Sequence, residues 1–157
     1  MQEEIADLYN KLIHDPRLMQ MRMFRQHKGV TTYDHSINVM NFSMKIANKL
    51  HFDDTHMHNL MIGAMLHDYF LYDYHVTKRH INGEIHAWYH PKAALANAVH
   101  DFRLNDIQKN IIRSHMWPLT FLHPPKSREA CVVSLADKLC AVLELVLPAY
   151  HCVYAVN

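Results

Sequence analysis

Between its breaks this chain repeats apolar residues at three- and four-residue spacing, and only three glycines interrupt its 157 residues. That period gathers apolar side chains on one face of a helix. Half of the residues are apolar, and with so little glycine this favours helices over tightly turned sheet. Ile5, Leu8, Leu12 and Ile13 mark a first helix, closed by Asp15-Pro16. A short helix is predicted from Arg17 to Arg25, then a turn at Gly29-Val30-Thr31-Thr32 with Thr31 or Thr32 as a cap. Ile37, Val39, Met40, Met44, Ile46 and Ala47 predict a helix from Tyr33 to Leu50. Leu60, Ile62, Ala64, Met65 and Leu66 predict another from Asp53 to Tyr69, deeply buried. From Tyr72 to Tyr89 the period is lost, and the stretch reads as a long loop of the kind that often forms lids. His90-Pro91 then opens a helix with proline at its first position, reaching about Phe102. Leu104–His115 gives one more, Met116–Lys126 is a second loop, and Ser127–Leu147 is the last long helix. The expected architecture is an all-α bundle in one domain over residues 1–157.

Composition narrows the function classes. A net charge of +1 with histidine neutral advertises no dedicated nucleic-acid surface. Cys131, Cys140 and Cys152 form no C-x-x-C pair, and their odd number suits a reduced setting with all three as small hydrophobes. Met1-Gln2-Glu3-Glu4 lacks the basic start and apolar stretch of a signal peptide. The apolar run from Cys140 to Tyr150 is broken by Glu144 and Pro148 and is too short to span a bilayer. A cytoplasmic protein with no membrane partner is expected. The unusual figure is fifteen histidines, and position must decide which of them matter.

Position singles out His67-Asp68, at the end of an otherwise apolar helix. His67 shares a face with Leu60, Gly63 and Ala64, and Asp68 with Met61, Ala64 and Met65. A carboxylate on that background is costly to desolvate unless paired or coordinated. Adjacent helical residues point about 100° apart, but they can converge on one ion at a fraying helix end. Asp137 repeats the anomaly among Val133, Ser134, Cys140 and Ala141. His35 shares a seam with Val39, Phe42 and Ile46, and His115 with Leu104, Ile111 and Ile112. Taken alone, each histidine reads as a hydrogen-bonded core residue and each Asp as an ion-pair partner or cap. Several helices each delivering one such group inward must satisfy them jointly, which a divalent cation does with few parts. Imidazole with carboxylate suits iron, manganese, cobalt, nickel or zinc rather than calcium.

The order His35, His67-Asp68, Asp137 resembles the H…HD…D signature of the HD-domain metal-dependent phosphohydrolase superfamily. The residues that carry it are YDHSINV around His35, AMLHDYFLYD around His67-Asp68 and SLADKLCAV around Asp137. The resemblance spans roughly Lys28 to Leu145 and implies about five core helices, flanked by others, with metal held between them. It is similar to the small stand-alone bacterial members, and among these to the binuclear branch, where two further histidines stand between the HD pair and the last Asp. His90, in HAWYHPKAAL, and His115, in IIRSHMWPL, match that order. The resemblance therefore implies His35, His67, Asp68 and Asp137 around one ion, His90 and His115 around a second, and Asp68 between the two. Met116-Trp117-Pro118 after His115 departs from the HHExxxGxGYP segment of cyclic-di-GMP phosphodiesterases. Phe70-Leu71-Tyr72 stands where alarmone hydrolases carry a Glu-Asp pair.

The expected chemistry is hydrolysis of a small phosphomonoester or phosphodiester, nucleotide-like, by a metal-activated hydroxide. Asp68 serves that hydroxide, and Lys28 and Lys138 are the first candidates to clamp phosphoryl oxygens, ahead of Lys78 and Arg79. His86 could assist a leaving group, and Trp117 and Tyr72 could flank a base, although core packing is their default. Two other functions are compatible with the same ligands: a binuclear iron oxygenase, or a non-catalytic ligand-sensing module. Nothing in the sequence fixes an oligomeric state.

Overall fold

A computed structural model of the chain describes residues 2–27, 29–76, 80–81 and 83–147. Among them are seven α-helices and two short antiparallel hairpins. Helix α1 (Gln2–Ile13) is followed by α2 (Pro16–Met19), a 3-10 turn over Gln20–Met23, and the hairpin of β1 (Arg25–His27) with β2 (Val30–Thr31). Then come α3 (Thr32–Lys49) and α4 (Asp54–Leu66), the hairpin of β3 (His80–Ile81) with β4 (Glu84–Ile85), and α5 (His86–Asp101), α6 (Asp106–Ser114) and α7 (Arg128–Val146). The all-α expectation holds, with sheet confined to the two hairpins.

Local chemistry starts the helices where the sequence says it should. Thr31 caps α3 in a reciprocal box with Asp34, and Asn105 caps α6 in the same way with Gln108. Asp53 and Ser127 accept backbone N–H bonds at the starts of α4 and α7. Each such cap stabilises by about 1 kcal/mol, but burial holds the helices together. Helix α3 packs between α4 and α7, and α4 also lies on α6. Met40, Met44, Met61 and Met65 are buried at their junctions with Leu60, Ile111 and Val133, where flexible thioethers fill an irregular core. Gly63 lets α4 and α6 approach, because a Cβ there would stand 2.6 Å from Ile111 Cδ1.

Three boundaries differ from expectation. The predicted Arg17–Arg25 helix is cut short, since the backbone turns into the β1–β2 hairpin at Arg25. The stretch from Tyr72 to Tyr89 is not wholly loop. It carries β3 and β4, with Gly83 at φ +80°, the left-handed conformation that glycine adopts without cost. Helix α5 begins at His86 rather than at His90-Pro91, so Pro91 lies inside the helix instead of at its first position. Proline has no N–H to offer the Ala87 carbonyl, so the helix forgoes that bond at its second turn. Consequently His90 lies on an inward helix face and is buried.

Candidate metal centre

Five helices, α3 to α7, bring the candidate ligands together. His35 stands in the first turns of α3, just inside the Thr31 box. His67 is the C-cap of α4 and His115 the C-cap of α6, and each sends Nδ1–H back to the carbonyl three residues earlier, Ala64 at 2.7 Å and Ile112 at 2.8 Å. His90 donates Nδ1–H to the His86 carbonyl at 3.0 Å. His35 donates Nδ1–H to Glu144 Oε2 at 2.8 Å. All four rings are thus held by Nδ1 and turn Nε2 inward, the arrangement by which an outer partner fixes the tautomer of a metal-binding imidazole.

Asp68 lies at the middle and divides its oxygens. Oδ1 is 3.3 Å from His90 Nε2 and 3.5 Å from His115 Nε2. Oδ2 is 3.5 Å from His67 Nε2 and 3.9 Å from His35 Nε2. Asp137 Oδ1 lies 3.1 Å from His35 Nε2 and 3.7 Å from His67 Nε2. Two buried triads able to hold metal ions result, His35-His67-Asp68 and Asp68-His90-His115.

The electrostatics of the two halves are opposite. Burial, which disfavours imidazolium, pushes His90 down to about 4. It pushes His115 to about 3, with His90 adding to the effect. Both rings therefore offer lone pairs at neutral pH. Burial acts on His35 too, but hydrogen bonds to Asp137 and Glu144 outweigh it and push this ring up to about 10. His67 is also raised, with Asp68 and Asp137 overcoming burial. Asp68 resists burial through the surrounding histidines and falls to about 2. The carboxylate half demands positive charge, which a metal ion satisfies by displacing a proton.

The residues present fit divalent ions on a second ground. His67 Nε2 and Asp68 Oδ1 are buried with no hydrogen-bond partner, although such groups are normally satisfied. Two cis ligands each ~2.1 Å from one ion stand ~3 Å apart, close to the 2.8 Å between His90 Nε2 and His115 Nε2.

Above the cluster opens a cavity of about 610 Å³, reached by His35, Asp68, His90 and Asp137 from below. Its walls include Ala87, Met116, Pro118, Leu119 and Ala141, with Gln26, Tyr74, His86 and Lys138 as the other polar members. Lys138 Nζ donates to His115 O at 2.8 Å, Ser134 O at 3.0 Å and Ser134 Oγ at 3.1 Å, and lies 4.0 Å from Asp137 Oδ2. It therefore ties α7 to the end of α6 beneath His115. His86 meets the Tyr72 hydroxyl at 2.9 Å through Nδ1 and stacks between Tyr74 and His90; burial lowers it to about 4. Trp117 is exposed. Lys28, Lys78 and Arg79, together with Cys152, lie outside the described residues.

Two supporting residues carry little or no signal in the sequence. Glu144, 2% exposed, accepts from both His35 and Asn38, each at 2.8 Å. Its only sequence signal is its place seven residues after Asp137, two helical turns along the same face. Gln26 donates Nε2–H to Asp68 Oδ2 at 2.7 Å from the β1–β2 hairpin, where no periodicity points to it.

A protein-family model described as HD domain matches residues 32–142, over two thirds of the chain. No curated protein and no solved structure matches. No helix among the described residues is long and apolar enough to cross a membrane.

Proposed function

The chain belongs to the HD domain family, and from that premise we propose that it is a metal-dependent phosphohydrolase acting on a small, nucleotide-like phosphomonoester or phosphodiester. One observation carries this reading: Asp68, shared by both buried triads, faces the floor of an open 610 Å³ cavity. His35, His67, Asp68 and Asp137 would hold one divalent ion, and His90 and His115 with Asp68 a second, from among iron, manganese, cobalt, nickel and zinc. Such ions, when bound, lower the pKa of water and neutralise phosphoryl oxygens.

The chain's own residues supply the rest. Gln26 orients Asp68 through Oδ2. Lys138 brings a positive charge to the wall beside Asp137, although its three N–H groups already have acceptors. It acts on substrate through its field, or by releasing the Ser134 hydroxyl. His86 is neutral at physiological pH. With Tyr72 donating to Nδ1, its proton sits on Nε2, available to a leaving-group oxygen. Met116, Pro118, Leu119 and Ala141 exclude water and cover an ester group of flat or apolar character.

The test is phosphate release from a panel of phosphorylated metabolites by protein loaded with each metal in turn. Turnover should fall by about 1,000-fold or more in Asp68→Ala. Oxygen consumption by the iron-loaded protein without phosphate release would point to oxygenase chemistry instead. Tight binding with no turnover would make the chain a sensor.

A further inference from the structure

Helix α7 carries apolar residues on both its sides. Its inner face carries Val133, Ala136 and Cys140 into the core. Its outer face shows Cys131, Leu135, Leu139, Val142 and Val146 to solvent. An apolar helix face is normally buried, and among the described residues no element covers this one. Leu135 is 52% exposed, Val142 58% and Val146 69%.

We propose that the missing layer is a second copy of this chain, with α7 packed antiparallel on its counterpart across a two-fold axis beside Leu139. The stripe is its own complement. Its steps of four, four, three and four residues keep all five positions on one side of the helix. Reversed about Leu139, which then meets its own copy, the stripe brings Leu135 to Val142 and Cys131 to Val146 within one residue, an offset of about 1.5 Å along the helix. A two-fold contact requires such self-complementarity. No charged residue lies on the stripe, and antiparallel α7 helices oppose their dipoles favourably.

The area also suits a dimer. With Leu145 and Leu147, which widen its C-terminal end, the exposed face offers roughly 650 Å², near the ~800 Å² per partner of a stable interface and above what monomers usually expose. A membrane surface fits less well, because interfacial helices carry a cationic polar face whereas the other face of α7 is core. The seam runs beside Lys138 and Ala141, so dimerisation would border the cavity mouth without closing it.

Sedimentation velocity of the metal-loaded full chain tests this independently of catalysis. The expected mass is twice the 18.5 kDa of one chain. Leu139→Lys sets two ammonium groups against each other at the axis, and should halve the mass while helical content and metal stoichiometry stay unchanged. Leu139→Cys should form an interchain disulfide on mild oxidation that the parent does not form, and it decides the matter if the lysine variant fails to fold. A parent that stays monomeric to about 100 μM, a dimer that survives Leu139→Lys, or a Leu139→Cys chain that does not cross-link would each overturn the proposal. Dimerisation only after removal of residues 148–157 would also overturn it, by making the chain's own end the cover.

Discussion

The Nε2 atoms of His90 and His115 stand 2.8 Å apart, while each ring commits its Nδ1–H to a backbone carbonyl. With Nδ1 protonated, both Nε2 lone pairs converge on one point, and burial keeps the rings from resolving the conflict by protonation at neutral pH. Only a cation makes that pairing favourable.

His115→Ala should therefore remove one ion and leave the other. Metal analysis after dialysis is expected to fall from two ions per chain to one, with His35, His67 and Asp137 retaining theirs. A variant that still holds two ions would contradict the assignment of His115.

Glu144→Gln tests the outer partner of His35. The amide keeps the shape but cannot be relied on to accept from both His35 and Asn38, and it removes the carboxylate that makes His35 basic. Metal affinity should drop by about 10- to 100-fold, read by competition with a chelating dye, with the metal-free protein still folded. An unchanged affinity would make Glu144 a packing residue only.

Proton release on metal binding follows from His35. Its pKa, pushed up to about 10 against a free value of 6.5, means that at pH 7–8 the metal-free ring is protonated. The same raised value stabilises the metal-free fold below pH 6.5, and that contribution fades as pH rises towards 10. His90 and His115, held at about 4 and 3, have nothing to release at this pH, and they favour folding above 6.5, with the benefit lost as pH falls towards 4. Titration calorimetry in buffers of different ionisation enthalpy should find about one proton or more expelled from the carboxylate half. Apparent affinity should rise with pH across this range. Uptake without proton release would contradict a protonated His35.

Gly63→Ala should destabilise the fold although alanine is the better helix former by about 1 kcal/mol. The added Cβ would meet three Ile111 atoms, including Cβ, at 2.6 to 2.8 Å. The overlap reaches the root of that side chain, so rotation cannot relieve it, and a net loss of about 1–3 kcal/mol is expected in urea unfolding. Adding Ile111→Val should recover part of it.

Some of this was legible without coordinates because it is local. Helical period, the cap at Thr31 and the placement of His67-Asp68 at a helix end depend on residues three or four apart. The start of α5 was misread for a related reason. Proline most often stands at a first helical position, and the four residues before Pro91 show no period strong enough to override that expectation. Gln26 could not be found at all, since its contact with Asp68 crosses 42 residues from a short hairpin.

By itself, then, the sequence determined which helices form and the order in which histidines and aspartates enter the core. Tertiary packing alone decided that Asp68 sends one oxygen to each histidine pair, that Glu144 reaches His35 across 109 residues, and that the outer side of α7 is exposed among the described residues. The reason is physical: periodicity specifies which face of a helix is apolar, whereas the distance between two side chains on different helices depends on how those faces cross and how closely they approach.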